Sequence, residues 1–363
     1  MRIRDLNRRQ ILYSVTICSC MLLFGITTVF AHLKSLRGFE YLRTVQLERH
    51  SDIMQNRATG PSQYRVLPAY LAQAIAISLD VVGLNRITMT ALGERREAEG
   101  IVLAFILLRL MIDTALFTLA FLYYRKIGIG FYATFIGLSL LVLSITQSSF
   151  NSDLAFSTYL DIVFYLSAAL VIVAKKHLWI LPITVIATLN RETSGLIPFM
   201  LLGYGLTSRD EDIDSGKAVV LSLISLLLYG AVFTSLRFGS GMDPFSGGAS
   251  LLGWSESSSN YLVEWPARFG GIAMMGLAYN LSSVLTYLQL AATFGVLPIM
   301  ALLSRAQWPK VLNCFLGAIV PLWILLHLLF GRLEETRLLL VPHVLVIIPG
   351  ALFGLYPSHG AQE

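Results

Sequence analysis

The stretch LWILPITVIATLNRETSGLIPFMLLGYGL, residues 178–206, decides how this chain is read. It is apolar on both sides of a short polar run, Asn190-Arg191-Glu192-Thr193, and it is too long for an ordinary membrane span. A charge at the centre of a bilayer costs roughly 2.5–3.5 kcal/mol on the mildest scale, so an Arg and a Glu side by side in such a run mark function by default. Two half-length helices meeting at a polar apex would return the chain to the side it came from. A single tilted helix is the other way to accommodate the length.

Working outward, the rest of the chain has the same solvent preference. Of its 363 residues 55% are hydrophobic and 13% charged, and the mean hydropathy is +0.68. Apolar runs long enough to cross a hydrocarbon core recur along the whole length, so the expected fold is an all-α polytopic transmembrane bundle. The chain reads as one integral membrane domain over residues 1–363, with no internal repeat and no linker. Arg2, Arg4, Arg8 and Arg9 precede an apolar run from Ile11 to about Leu33, which predicts a retained first helix with a cytoplasmic N-terminus.

Further spans are predicted at Ile101–Tyr124, Ile127–Thr146, Leu154–Ala174, Ala218–Ser235, Leu281–Leu303, Val311–Phe330 and Leu338–Leu355. The segment Arg65–Leu84 carries polar positions and Pro68, and reads as a helix lying at the interface rather than crossing. With that segment not crossing and with 178–206 as a re-entrant-like hairpin, Arg125, Lys126, Lys175, Lys176, Arg305 and Lys310 all fall on the cytoplasmic side. The first outer loop (34–100), the hairpin apex, the second long outer loop (237–280) and residues 331–337 then share the opposite side. The expected location is the cytoplasmic (inner) membrane, with the N-terminus on the cytoplasmic side.

Several polar groups on that outer side carry chemistry. Glu48, His50 and Asp52 alternate in the first loop, where a carboxylate or an imidazole could act as general base on a sugar hydroxyl; a merely solvated loop is the plain alternative. Tyr64 and Arg65 follow Gly60-Pro61-Ser62-Gln63, and Arg65 at a helix start suits a phosphate, or ordinary headgroup contact. Arg191 and Glu192 are adjacent, so on a helix they point apart and each needs another partner. Asn190 belongs to the same apex, and Thr193 or Ser194 can cap the half-helix that follows. Glu335 and Arg337 sit where the last span enters the bilayer and can close a polar pocket, or simply cap a charged loop.

Other features have structural explanations. Arg109 and Asp113 are four apart on one helical face, the spacing of an intramembrane ion pair. His343 reads as a hydrogen-bonded core residue. The sequon Asn280-Leu281-Ser282 lies at a helix start close to the membrane. Cys18, Cys20 and Cys314 all lie in apolar runs and suggest neither a disulfide framework nor a metal site. Basic residues are not interleaved with aromatics, so no nucleic-acid partner is expected, and no Gly-rich phosphate loop is present.

Taken together, His50, Tyr64-Arg65-Val66-Leu67-Pro68, Arg191-Glu192-Thr193 and Glu335-Thr336-Arg337 before a Pro-containing last helix resemble bacterial multi-pass proteins related to the GT-C glycosyltransferases. The resemblance spans roughly residues 35–345 and rests on short motifs. It implies a polyprenyl-phosphate-linked sugar as donor, a glycan, lipid or protein acceptor, inverting transfer on the outer face, and an acidic base in the first outer loop. That base falls on Glu48 or Asp52, with His50 beside it. Arg65, Arg191 and Arg337 would hold the lipid phosphate, while Glu192 and Glu335 would bind sugar hydroxyls or orient the arginines. The acidic pair that better-known members carry in this loop is missing, so no metal cofactor is indicated, although a divalent ion is compatible with the class. A transporter or flippase of lipid-linked saccharides is the competing class, since broken helices also build transport sites. A non-catalytic membrane scaffold is the third.

Overall fold

In the computed structural model, which describes residues 3–35, 39–58, 65–84, 86–91, 94–149, 156–207, 215–239 and 274–355, the chain is a polytopic bundle of transmembrane helices. The long α1 (Ile3–Leu33) is followed by two short helices, α2 (Leu47–Met54) and α3 (Leu67–Val81), and by a strand pair, β1 (Arg86–Ala91) and β2 (Glu94–Glu99). Next come α4 (Gly100–Lys126), α5 (Phe131–Ser149) and α6 (Phe156–Val173), the half-helices α7 (Ile180–Thr188) and α8 (Ile197–Thr207), and α9 (Ser215–Gly239). The chain ends in α10 (Val284–Phe294), α11 (Leu297–Leu303), α12 (Lys310–Phe330) and α13 (Thr336–Leu355). Among the described residues seven helices are long and apolar enough to cross a membrane, and eight if α10 and α11 form one span.

Two local features differ from the expectation. The 281–303 segment is not straight, because α10 and α11 meet at 66°. Gly295 at the bend has φ +53°, a conformation glycine enters without steric cost, and Pro298 opens the second helix. In the first loop, the charged stretch before α4 forms an antiparallel ribbon with Arg86 opposite Glu99 and Ala91 opposite Glu94. This ribbon lies outside the spans and leaves the bundle itself helical.

The interfacial segment behaves as expected in length. α3 has 15 residues, about 22 Å of helix at about 1.5 Å per residue, which falls short of a hydrocarbon core of about 30 Å. It buries Pro68, Ala69, Ala72 and Leu79 and packs along α4.

The hairpin is settled by using α9 as a ruler. Ser215 and Ala218, at the start of α9, meet Gly205 at the end of α8, and a Cβ on Gly205 would collide with Ala218. Ser225 bonds Thr184 of α7 at 2.7 Å, and Tyr229 donates to the Glu192 carbonyl at 2.9 Å. The His177 and Tyr204 rings, one before α7 and one near the end of α8, lie 6.2 Å apart. α7 therefore runs up beside α9 and α8 runs back down, so the 178–206 stretch turns round rather than crossing.

Antiparallel contacts fix the ends of the other spans. Thr28 of α1 bonds Asp113 of α4 at 2.7 Å, and Tyr13 of α1 lies against Phe131 at the start of α5. Trp308, just before α12, packs on Gly350 near the end of α13. The basic pairs Arg125-Lys126 and Lys175-Lys176 accordingly share one end of the bundle with Arg305 and Lys310.

Buried hydroxyls repair the backbone where the helices depart from regularity. α13 widens into a π-type turn over His343–Ile347, and there Tyr124 and Tyr123 donate to the carbonyls of Val344 and Leu345, both at 3.0 Å. In a membrane, water is not present to satisfy such groups, so side chains from a neighbouring helix must do it. His343 bonds Ser144 at 2.9 Å and stacks edge-on against Phe294, a hydrogen-bonded core residue.

Candidate functional site

At the turn of the hairpin the backbone leaves the α conformation. Arg191 is extended (φ −163°, ψ 150°) and residues Glu192–Leu196 wind as a tight 3-10 turn before α8. The extended residue sends Arg191 and Glu192 to different partners, as their adjacency requires.

Asp161, fully buried one and a half turns into α6, organises one side of the apex. Its carboxylate accepts from Asn190 Nδ2 at 2.8 Å, from Thr193 Oγ1 at 2.8 Å and from Arg191 Nη1 at 3.4 Å. Asn190 Nδ2 also donates to the Ser157 carbonyl, and Tyr165 donates to the Thr193 carbonyl at 2.5 Å. The Thr193 hydroxyl is thus spent on Asp161 and the Ser194 hydroxyl on the Arg191 carbonyl; neither caps the following helix, as the sequence alone suggested.

Glu192 faces the other way, toward α3. Arg65 grips it as a fork, Nη2 to Oε1 at 2.5 Å and Nε to Oε2 at 3.3 Å. The Leu67 N–H donates to the Leu189 carbonyl at 3.1 Å, so the start of α3 is fastened to the hairpin by backbone as well as charge. Arg337, at the start of α13, binds Glu335 with Nη2 at 2.6 Å and Nε at 3.2 Å.

These groups form one electrostatic cluster. The charges of Arg65, Asp161, Glu192 and Arg337 all reach Arg191, which is 6% exposed. Arg191 Nε is buried with no hydrogen-bond partner among the described residues, and so is Asn190 Oδ1. His327 of α12 lies within reach of Arg65, Arg191 and Glu192. Its Nδ1 donates to the Trp323 carbonyl at 2.8 Å. The ring stacks on Trp323, which in turn meets Tyr165 edge-on.

Of the residues singled out from the sequence, Arg65, Asn190, Arg191 and Glu192 come together at this apex, and Arg337, which holds Glu335, is near enough for its charge to act on Arg191. The first-loop residues have other surroundings. His50 is buried, bonded through Nε2 to Gln73 of α3 at 3.0 Å and edge-on to Phe105 of α4. Asp52 pairs with Arg57 at 3.5 Å and its carbonyl caps the N–H groups of Arg57 and Ala58, while Glu48 is exposed on α2. Tyr64 lies outside the described residues, as does most of the second long outer loop.

Asp161 and His327 were not singled out from the sequence. Asp161 did carry a signal, since it is an acid within an apolar span and meets the same cost argument as the apex. His327 carried none, being one His on an apolar helix. Among the described residues no three His, Cys, Asp or Glu side chains gather as a metal site. Comparison with protein families, curated proteins and solved structures finds no match for this chain.

Proposed function

We propose that the protein is a membrane glycosyltransferase of GT-C type, which takes a sugar from a polyprenyl-phosphate donor and passes it to an envelope glycan, lipid or protein. The observation that carries this reading is the buried, unpartnered Nε–H of Arg191 in a cluster that also holds Arg65 and Arg337. A guanidinium held in a water-poor site with a spare donor is suited to an anion, and phosphate matches its fork geometry.

In this reading the acceptor oxygen attacks the anomeric carbon and the bond from that carbon to the phosphate oxygen breaks. Charge builds on the departing phosphate, where fixed arginine donors stabilise it more than they stabilise the bound donor. The acceptor's proton passes to a carboxylate. Glu192 and Glu335 are the candidates because they stand at the arginines assigned to the phosphate, which neither Glu48, exposed on α2, nor Asp52, paired with Arg57, does. The basic end of the bundle would face the cytoplasm together with the N-terminus, and the apex would open toward the opposite side of the inner membrane.

The test is sugar transfer from a radiolabelled polyprenyl-phosphate sugar by the full chain in liposomes. Wild type should release labelled product and Arg191→Ala should not. Movement of intact donor between leaflets, with its bond to phosphate uncut, would instead make the protein a flippase.

A further inference from the structure

Two neighbouring residues at the apex each bury a polar atom that has no hydrogen-bond partner among the described residues. Asn190, fully buried, leaves Oδ1 bare, and Arg191 leaves Nε bare. One atom accepts and the other donates. The rest of both side chains is committed to α6. Asn190 Nδ2 donates to the Ser157 carbonyl and to Asp161 Oδ1, both at 2.8 Å, while Arg191 Nη1 lies 3.4 Å from Asp161 Oδ2 and 3.5 Å from Thr158 Oγ1.

The partners fix which end of the Asn190 amide is which. The Ser157 carbonyl has no hydrogen to give, so the amide presents its nitrogen there, and a flipped amide would set oxygen against oxygen at both contacts. The bare atom is therefore an acceptor. Neighbouring donors are already spent: the N–H groups of Asn190 and Arg191 both bond the Ala187 carbonyl, the Thr193 hydroxyl bonds Asp161, and the Ser194 hydroxyl bonds the Arg191 carbonyl. Proteins keep few buried polar groups in this state, because leaving one unpaired is costly.

A phosphate answers only half of this arrangement. The oxygens of a phosphodiester accept, so one can take the Arg191 Nε–H, but none has a hydrogen for Asn190 Oδ1. An anion that carries a hydroxyl or an N–H close to its phosphate answers both. In a sugar joined to phosphate through its anomeric carbon, the ring donor nearest the phosphate is the substituent on the adjacent ring carbon. Resting on the phosphate reading of this site, we propose that Asn190 Oδ1 reads the sugar: it accepts a hydrogen bond from the hydroxyl or acylamino N–H on that carbon while Arg191 holds the phosphate beside it. Asp161, bonded to both side chains, ties the two halves together. The substrate class follows. Sugars with a free hydroxyl or an acylamino group next to the anomeric carbon fit, whereas sugars deoxygenated there leave the acceptor buried and unpaired, which is how a hydrogen-bonding site rejects an analogue lacking the group.

The experiment measures the binding of two farnesyl phosphodiesters to the full chain in nanodiscs, one carrying a hydroxyethyl group and the other a fluoroethyl group. Both have the same charge and nearly the same size, and each sets its hydroxyl or fluorine on the carbon that corresponds to the ring carbon next to the anomeric one. Only the hydroxyl can donate. Wild type should bind the hydroxyethyl diester about three- to tenfold more tightly than the fluoroethyl diester. Asn190→Ala, which also gives up its bonds to α6, should bind the two alike whatever it loses overall. Equal binding of the two by wild type would overturn the role of Asn190 while leaving the phosphate site standing, and that comparison needs no variant to fold. A preference that persists unchanged in a folded Asn190→Ala variant would overturn it as well, since the hydroxyl is then read elsewhere. Absence of binding of either diester by wild type would overturn the phosphate reading and this one together.

Discussion

Among the described residues two buried Arg–Asp pairs lie inside this bundle, and they are built differently. Arg109 and Asp113 sit one turn apart on α4, 1% and 0% exposed, with Arg109 Nε on both carboxylate oxygens at 2.9 Å. Thr28 of α1 supplies a further donor to Asp113, and the Tyr159 ring covers the guanidinium at 3.2 Å from its centroid. Arg191 and Asp161 belong to different elements, meet at only 3.4 Å, and leave Arg191 with a spare N–H among other charges. Both guanidiniums keep buried N–H groups without a hydrogen-bond partner among the described residues, Nη1 and Nη2 of Arg109 and Nε of Arg191. The first pair is local to one helix and lies under an aromatic face. The second joins two elements and has the charges of Arg65, Glu192 and Arg337 around it. Neither burial nor a spare donor marks function by itself; the gathering of further charges around the pair does.

The contrast can be broken most decisively at the Arg109–Asp113 pair. Asp113→Ala leaves Arg109 as an uncompensated buried charge and should destabilise the protein by roughly 3–5 kcal/mol, seen as early loss of the monodisperse peak on heating in detergent. Sugar transfer per folded molecule should survive. If transfer vanishes while the fold persists, the pair is not merely structural.

Arg191→Ala is the complementary case. Asp161 keeps its bonds from Asn190 and Thr193, so the melting temperature should move less than in Asp113→Ala. Transfer should fall about 10²–10³-fold, the usual consequence of removing one fixed donor from a developing oxyanion. Equal losses of stability in the two variants would erase the distinction between the regions.

Arg65→Lys tests whether geometry matters as well as charge. Lysine keeps the cation and loses the two-pronged grip on Glu192, so transfer should fall about tenfold. A smaller change is expected in the first loop. Glu48→Gln with Asp52→Asn removes one exposed side chain and one surface pair worth about 0–1 kcal/mol, and transfer should stay within about threefold of wild type. Loss of transfer in that double variant would return the base to the first loop, as the GT-C resemblance implied.

Much of the bundle was legible because hydropathy is a local property. Each span shows itself as an apolar run, and the interruption at Asn190–Thr193 predicted the turn. The bend at Gly295 was harder to see, since glycine in an apolar run is compatible with a straight helix. The ribbon over 86–99 was missed because Glu94–Glu99 shows only charge, although Arg86–Ala91 alternates polar and apolar residues as a strand does. At the site, Arg191 and Glu192 were found by their cost in a membrane, and Arg65, Glu335 and Arg337 by their places where helices begin. Asp161 has the same cost and shows that the rule reaches further than the apex.

The sequence by itself determined that this chain lives in a membrane, where it crosses, and that residues 178–206 carry an expensive polar apex. Those conclusions follow from solvent preference residue by residue. Only the tertiary structure decided the partners: Arg65 with Glu192 across 127 residues, Asp161 beneath Arg191, Thr193 bonded to a carboxylate rather than capping a helix. Partner choice depends on which helices pack together and at what height. Many pairings of the same charges satisfy the same hydropathy pattern, so that choice is absent from any local stretch of sequence.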